Sequence, residues 1–262
     1  MESIFRFFRR IIFSYKQSSV MSDWKTYMMF DLIPPVSQTL LFSLVAGYIY
    51  GTDYIQKWMI GNAILIASFG ALFGVGTQLM DEKNNGTLSF LIASKTKLSS
   101  ILFSSAISTM VTSMISVTIG VVLVSFILGI NWNLELISSF IGVLFLSSFV
   151  AMSFGYIFSC FILITSETNL ILNLVSRLLL IFTGANFPVS KLPYIFQWFS
   201  KILPLTRSIQ IAQGLIEGNS LSEYNKLIYE ELTLGFSFIL VAYILLKYME
   251  RQSRISGKLE FT

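Results

Sequence analysis

The sequence contains no histidine. That removes imidazole general bases, imidazole metal ligands and histidine proton relays together. It holds a single cysteine, Cys160, inside an apolar run, which excludes an internal disulfide framework and a multi-cysteine metal site. Charge is scarce: 12% of residues, against about 25% in soluble domains. No G-x-x-x-x-G-K-[ST] run occurs, so the chain has no phosphate-cradling loop of its own. No internal repeat is visible, which argues against two fused halves.

What remains is apolar. Of 262 residues, 54% are hydrophobic. A spanning helix needs about 20 mostly apolar residues, and six segments qualify: 32–50, 57–80, 100–129, 134–165, 168–187 and 229–248. Asn131-Trp132-Asn133 and Ser166-Glu167-Thr168-Asn169 are the turns on either side of the fourth segment. The last segment is the weakest, because Glu231 and Lys247 bracket it closely. The expected class is an all-α polytopic membrane protein, with residues 1–262 forming a single transmembrane domain.

Twelve of the 18 basic residues fall in three places: the stretch before the first span, the insert around 81–98, and the tail from Lys247 onward. The positive-inside rule then puts both termini and the insert in the cytoplasm of a multi-pass cell-membrane protein. The net charge of +4 reads as a topology signal, and no nucleic-acid partner is expected.

Residues 1–25 sort as an amphipathic helix. Phe5, Phe8 and Ile12 share an apolar face with Ile4, Ile11 and Tyr15, while Arg10 lies opposite and Arg9 flanks the seam. This pattern suits a cytoplasmic helix lying in the membrane interface against lipid. A basic anchor that only satisfies topology is the plainer alternative.

The insert at 81–98 begins with Asp81 and Glu82, turns at Asn84-Asn85-Gly86, and becomes half apolar again. Gly86 permits a sharp turn, and Thr87 can cap a short helix with Leu88, Leu91 and Ile92 on one face and Phe90 on the other. Phe90 either packs on a neighbouring span or meets a partner. An ordinary solvated loop is the competing reading.

With Glu82, Gly86, Thr87 and Leu88 in that order after the second span, the chain resembles the permease subunit of ABC-type exporters. That family has six spans per domain and a short cytoplasmic coupling helix that docks into an ATPase. Ser89 stands where the family often has an acidic residue, and Ser94-Lys95 where a proline often follows. A second block, "FTGANFPVSKLPYIFQWFSKILPLT", resembles the family's segment after span five through Gly184, Phe187, Pro188, Pro193 and Pro204. The prolines break this stretch into short pieces, so short re-entrant helices are expected within an external segment at 188–228.

The resemblance implies a separate cytoplasmic ATPase subunit carrying ATP and Mg, no cofactor or metal on this chain, no catalysis by it, and pairing with a second copy or a related permease. The implied cargo is hydrophobic, drug-like or an antimicrobial peptide, with lipid-linked cell-surface polysaccharide as the alternative. Rival classes are an ion-coupled carrier or channel and an integral membrane enzyme. Both need several ionisable groups at one membrane depth.

Arg177 lies mid-span, where insertion scales set its cost at about 2.5–3.5 kcal/mol. It is a candidate for the translocation pathway together with Asn173, or a structural hydrogen-bond donor to Asn173 or to backbone carbonyls. Asp31, before Pro34-Pro35, suits a helix N-terminus. Gly70, Gly74 and Gly76 offer a smooth face for close helix packing.

Overall fold

A computed structural model describes residues 9, 12, 24–87, 90, 98–164, 168–186 and 188–256. The described residues are overwhelmingly helical and contain no strand. The elements are α1 (Trp24–Tyr50), α2 (Ile55–Asn84), α3 (Leu98–Leu128), α4 (Leu134–Ile164), α5 (Thr168–Phe182), α6 (Tyr194–Ile202), α7 (Thr206–Ile216) and α8 (Asn225–Ser256). Among the described residues, five helices are long and apolar enough to cross a membrane, and α5 is a shorter apolar helix.

Helix α2 is the centre. It packs most extensively on α4 and α3, and also on α1, α7 and α5. In its most apolar window 78% of residues are buried inside the protein, against 17% for α1 and 17% for the last span. Lipid tails give helices no hydrophobic reason to associate, so close approach of backbones and small side chains has to hold them. Gly70 and Gly74 provide it on one side: a Cβ on Gly70 would sit 2.6 Å from Ser113 Cβ, and one on Gly74 2.6 Å from Thr109 Cγ2. On another side α4 presents Gly155, where a Cβ would lie 2.5 Å from the Leu72 carbonyl oxygen. The packing role expected for the α2 glycines is therefore observed at Gly70 and Gly74.

The hairpins fix the sides. Residues Trp24, Asn84, Leu98, Ile164 and Thr168 lie on the near side, and Tyr50, Ile55, Leu128 and Leu134 on the far side. The α3–α4 turn is tied down by Trp132, whose indole N–H donates to Ser125 Oγ at 2.8 Å.

Three expectations need correction. Asp31 does not start a helix. It lies in a π-helical turn, Met28–Leu32, inside the continuous α1, and the Ile33 N–H bonds to the Met28 carbonyl. Pro34 and Pro35 lack N–H donors, and the wider turn absorbs this without breaking the helix. The fifth span does not run to residue 187: α5 stops at Phe182. Its 15 residues rise about 22 Å, less than the roughly 30 Å hydrocarbon core. The Thr183 hydroxyl turns back on the Leu179 carbonyl at 2.6 Å, the Asn186 amide donates to the Leu180 carbonyl at 3.1 Å, and Gly184 takes φ +86°. The last span is not short either, because α8 runs through Glu231 as 32 helical residues.

Gly155→Ala is expected to destabilise the fold by about 1–3 kcal/mol, since the added methyl meets backbone that cannot swing away. Gly142→Ala, with nothing within 4 Å, is the neutral control. Thermal unfolding of both variants in the same detergent checks the difference.

Candidate functional site

Most of the candidate residues described by the structure sit at the two ends of α2. At the near end, the chain leaves the helix through a left-handed glycine. Gly86 has φ +69°, its N–H bonds to the Lys83 carbonyl at 3.1 Å, and the Thr87 N–H bonds to the Glu82 carbonyl at 2.9 Å. These two bonds form a Schellman closure, which favours glycine at the left-handed position. The Thr87 hydroxyl donates back to the Glu82 carbonyl at 3.2 Å and also to its carboxylate. Glu82, Gly86 and Thr87 are thus brought together as the closure of α2. Thr87, expected to cap the helix that follows, turns toward the one that precedes. Phe90 is helical and 75% exposed. Leu88 lies outside the described residues, as do Phe5, Phe8 and Arg10 of the interfacial helix, whose Arg9 and Ile12 are helical and exposed.

At the far end, the short helices are seated on α2. A Cβ on Gly61 would lie 3.3 Å from the Ala185 carbonyl and 3.1 Å from Gln213 Nε2. Gln213 Nε2 in turn donates to the Gly184 carbonyl at 3.2 Å. Gly61 is six residues inside α2, about 9 Å of rise. The break after α5 therefore lies below the far end of α2. Lys57, in the first turn of α2, forms an ion pair with Glu217 just after α7. The chain has consequently reached the far side before α8 begins, and α5, the break and α7 complete the fifth crossing between them. Phe182 at the end of α5 stacks on Phe196 and meets Phe199 edge-on, with centroids 5.2 and 5.4 Å apart. Pro188 precedes a 3-10 turn, Pro193 starts α6, and Pro204 separates α6 from α7. These are the short pieces expected from the prolines. Phe187 lies outside the described residues.

One residue of this region was missed in the sequence. Glu231 on α8 is fully buried. Its Oε1 accepts the Leu205 N–H at 2.8 Å and the Ser208 hydroxyl at 3.3 Å. It caps the N-terminus of α7 from another helix, where a negative charge is favoured. Leu205 itself has φ +77°, a strained conformation for a branched residue. Arg207 closes the cluster: its Nε donates to Glu230 Oε2 at 3.0 Å, and its Nη1 lies 3.5 Å from Glu231 Oε2. The sequence signal was the pairing of Arg207 with Glu230-Glu231, more than 20 residues apart and without local periodicity.

Arg177 and Asn173 share the exposed face of α5. Arg177 forms no ion pair among the described residues. The structure thus places these two candidates together and apart from both ends of α2.

The geometry on its own defines a multi-pass helical membrane protein with a glycine-closed turn at one end of its central helix and a broken fifth crossing at the other. The chain belongs to the ABC-2 type transporter family, whose profile matches residues 10–216 and whose members are the permease components of exporters. No curated protein matches the chain.

Glu231→Leu is expected to cost about 3–5 kcal/mol, because it strands the Leu205 N–H and leaves Arg207 short of a counter-charge. Glu231→Gln keeps an acceptor for Leu205 and is expected to lose less. Thermal unfolding of the detergent-purified variants ranks them.

Proposed function

We propose that this chain is the transmembrane half of an ATP-driven exporter, working as a pair on top of two ATPase subunits that bind ATP and Mg and carry out all hydrolysis. The observation that carries this reading is α2 itself. A single 30-residue helix joins the Glu82–Gly86–Thr87 turn to the platform of Gly61, Gly184 and Gln213. A push on the turn is delivered across the membrane without an intervening joint.

In this reading the near side is cytoplasmic, as the basic residues imply, and the ATPase grips the insert at 81–98. Closing of the ATPases on ATP moves α2, and the α6–α7 unit at the far end moves with it. The bond network at Gln213 and Glu231 keeps α7 attached to α2 and α8 during that motion. The cargo is a hydrophobic, drug-like or peptide molecule entering from the bilayer. The exposed aromatic face of α6, Tyr194, Ile195 and Trp198, gives such a molecule an apolar exit surface. The described residues hold no cluster of His, Cys, Asp and Glu for metal chemistry.

The test is affinity purification of the tagged full chain from its host, followed by identification of partners and an ATPase assay. An ABC ATPase is expected to co-purify. Gly86→Val, which forces a branched residue to φ +69°, is expected to reduce recovery of that ATPase at least about tenfold while the chain still reaches the membrane. Recovery of the intact chain alone, without ATPase activity, contradicts the reading and favours a carrier. Growth of cells lacking the chain in the presence of hydrophobic drugs and peptides, compared with their surface polysaccharide content, separates the two cargo classes.

A further inference from the structure

Asp31 on α1 is a half-buried carboxylate inside a span, and it forms no ion pair among the described residues. It lies seven residues into α1, about 10 Å of rise from the near end. A charge at that depth is costly and is retained where it meets a partner. The side chains around it are committed elsewhere. Its turn packs on α3, and none of the 31 residues of α3 is charged. Lys25, the one cation of α1, lies over the Trp24 ring. The hydroxyl of Tyr27, four residues before Asp31, shares a hydrogen bond with Ser116 of α3 at 2.9 Å.

The backbone adds acceptors to the same place. Pro34 and Pro35 supply no N–H, so the carbonyls of Phe30 and Asp31, four residues before them, receive no helical donor from those positions. The turn itself, Met28–Leu32, is π-helical, a geometry frequent at functional positions. The surface around it is open and apolar. Met28 and Pro34, three residues to either side of Asp31, are exposed, as are Met29, Phe30 and Ile33. Methionine side chains adapt to ligands of varied shape.

We infer that this turn is a recognition site for an amphipathic organic cation, and that such a cation is the cargo. The inference rests on the export reading above and narrows its cargo. Charge complementarity selects a cation. The apolar surround selects one with a large hydrocarbon body over a hydrated metal ion. Molecules of this kind collect in the cytoplasmic leaflet, whose anionic lipids attract them, and Asp31 stands in the half of the span that the export reading places there. A phosphate-linked lipid saccharide would instead bring like charge to the carboxylate. Arg177, exposed on α5, offers the opposite charge, so the experiment includes an anion of the same size.

The probes are tetraphenylphosphonium and tetraphenylborate, nearly equal in size and opposite in charge. Their binding to the full chain in lipid nanodiscs is measured by equilibrium dialysis. Saturable binding of tetraphenylphosphonium, stronger than that of tetraphenylborate, is expected. Asp31→Asn should weaken it roughly tenfold or more, and Asp31→Glu, which keeps the charge, should stay within about threefold of the unsubstituted chain. Where Asp31→Asn is not recovered folded, carbodiimide labelling of Asp31 in the unsubstituted chain, mapped by mass spectrometry, reads the same contact: tetraphenylphosphonium should block it and tetraphenylborate should not. In inside-out vesicles holding the chain and its ATPase, ATP-driven uptake of tetraphenylphosphonium should fall with binding in Asp31→Asn. Binding that is indifferent to Asp31, or stronger for tetraphenylborate, overturns the site. Asp31-dependent binding without ATP-driven uptake overturns the assignment as cargo. An ABC ATPase that co-purifies with a chain lacking the site leaves the permease reading intact. Asp31-dependent binding by a chain that recruits no ATPase upholds the site and overturns the permease reading instead.

Discussion

The burial of α2 is the constraint on which the rest of the structure depends. In a bilayer, water does not force helices together, so the helix that becomes the centre is the one that allows neighbours closest. Gly70 and Gly74 admit α3, Gly155 on α4 admits the backbone of α2 at Leu72, and Gly61 admits the break after α5. Each contact reaches backbone or a short polar side chain, and a methyl group in any of these places forces a shift. The peripheral helices α1 and α8 are held on fewer sides and leave most of their apolar surface to lipid.

Among the described residues, the fully buried carboxylate lies where this helical economy is interrupted. A full-length span satisfies its own backbone. A crossing made from a short helix, a break and a second short helix does not, and the unsatisfied groups must be met inside the protein. Gln213 meets the carbonyl of Gly184, Asn186 that of Leu180, and Glu231 the N–H of Leu205. The buried carboxylate is thus a consequence of the broken fifth crossing, and Arg207 is a consequence of the carboxylate. The same interruptions give the far end of α2 a separate unit of short helices with defined attachment points.

Much of this was legible in the sequence because it rests on local signals. Apolar length located the spans, Asn131–Asn133 and Gly86 located turns, and Pro188, Pro193 and Pro204 located the ends of the short helices. Glycine spacing on α2 announced a packing face. The failures share one cause, which is that a charge or proline was taken as a boundary. Glu231 was read as the water edge of the last span, when it is buried by partners on a distant segment. Asp31 with Pro34-Pro35 was read as a helix start, when a π-helical turn carries the helix through them. The fifth span was read five residues too long, because nothing in an apolar run shows that Thr183 and Asn186 will turn back and end it. Each outcome was decided by tertiary contact.

The central claim is that the Gly86 turn and the α7–α8 junction face opposite sides of the membrane, the first toward the cytoplasm. The most direct measurement is substituted-cysteine labelling in intact cells on a Cys160→Ser background, with Asn85→Cys and Ser222→Cys, both exposed positions. A membrane-impermeant maleimide is predicted to label the Ser222→Cys protein in intact cells and the Asn85→Cys protein only after permeabilisation. Equal labelling of the two, or the reverse order, would contradict the account.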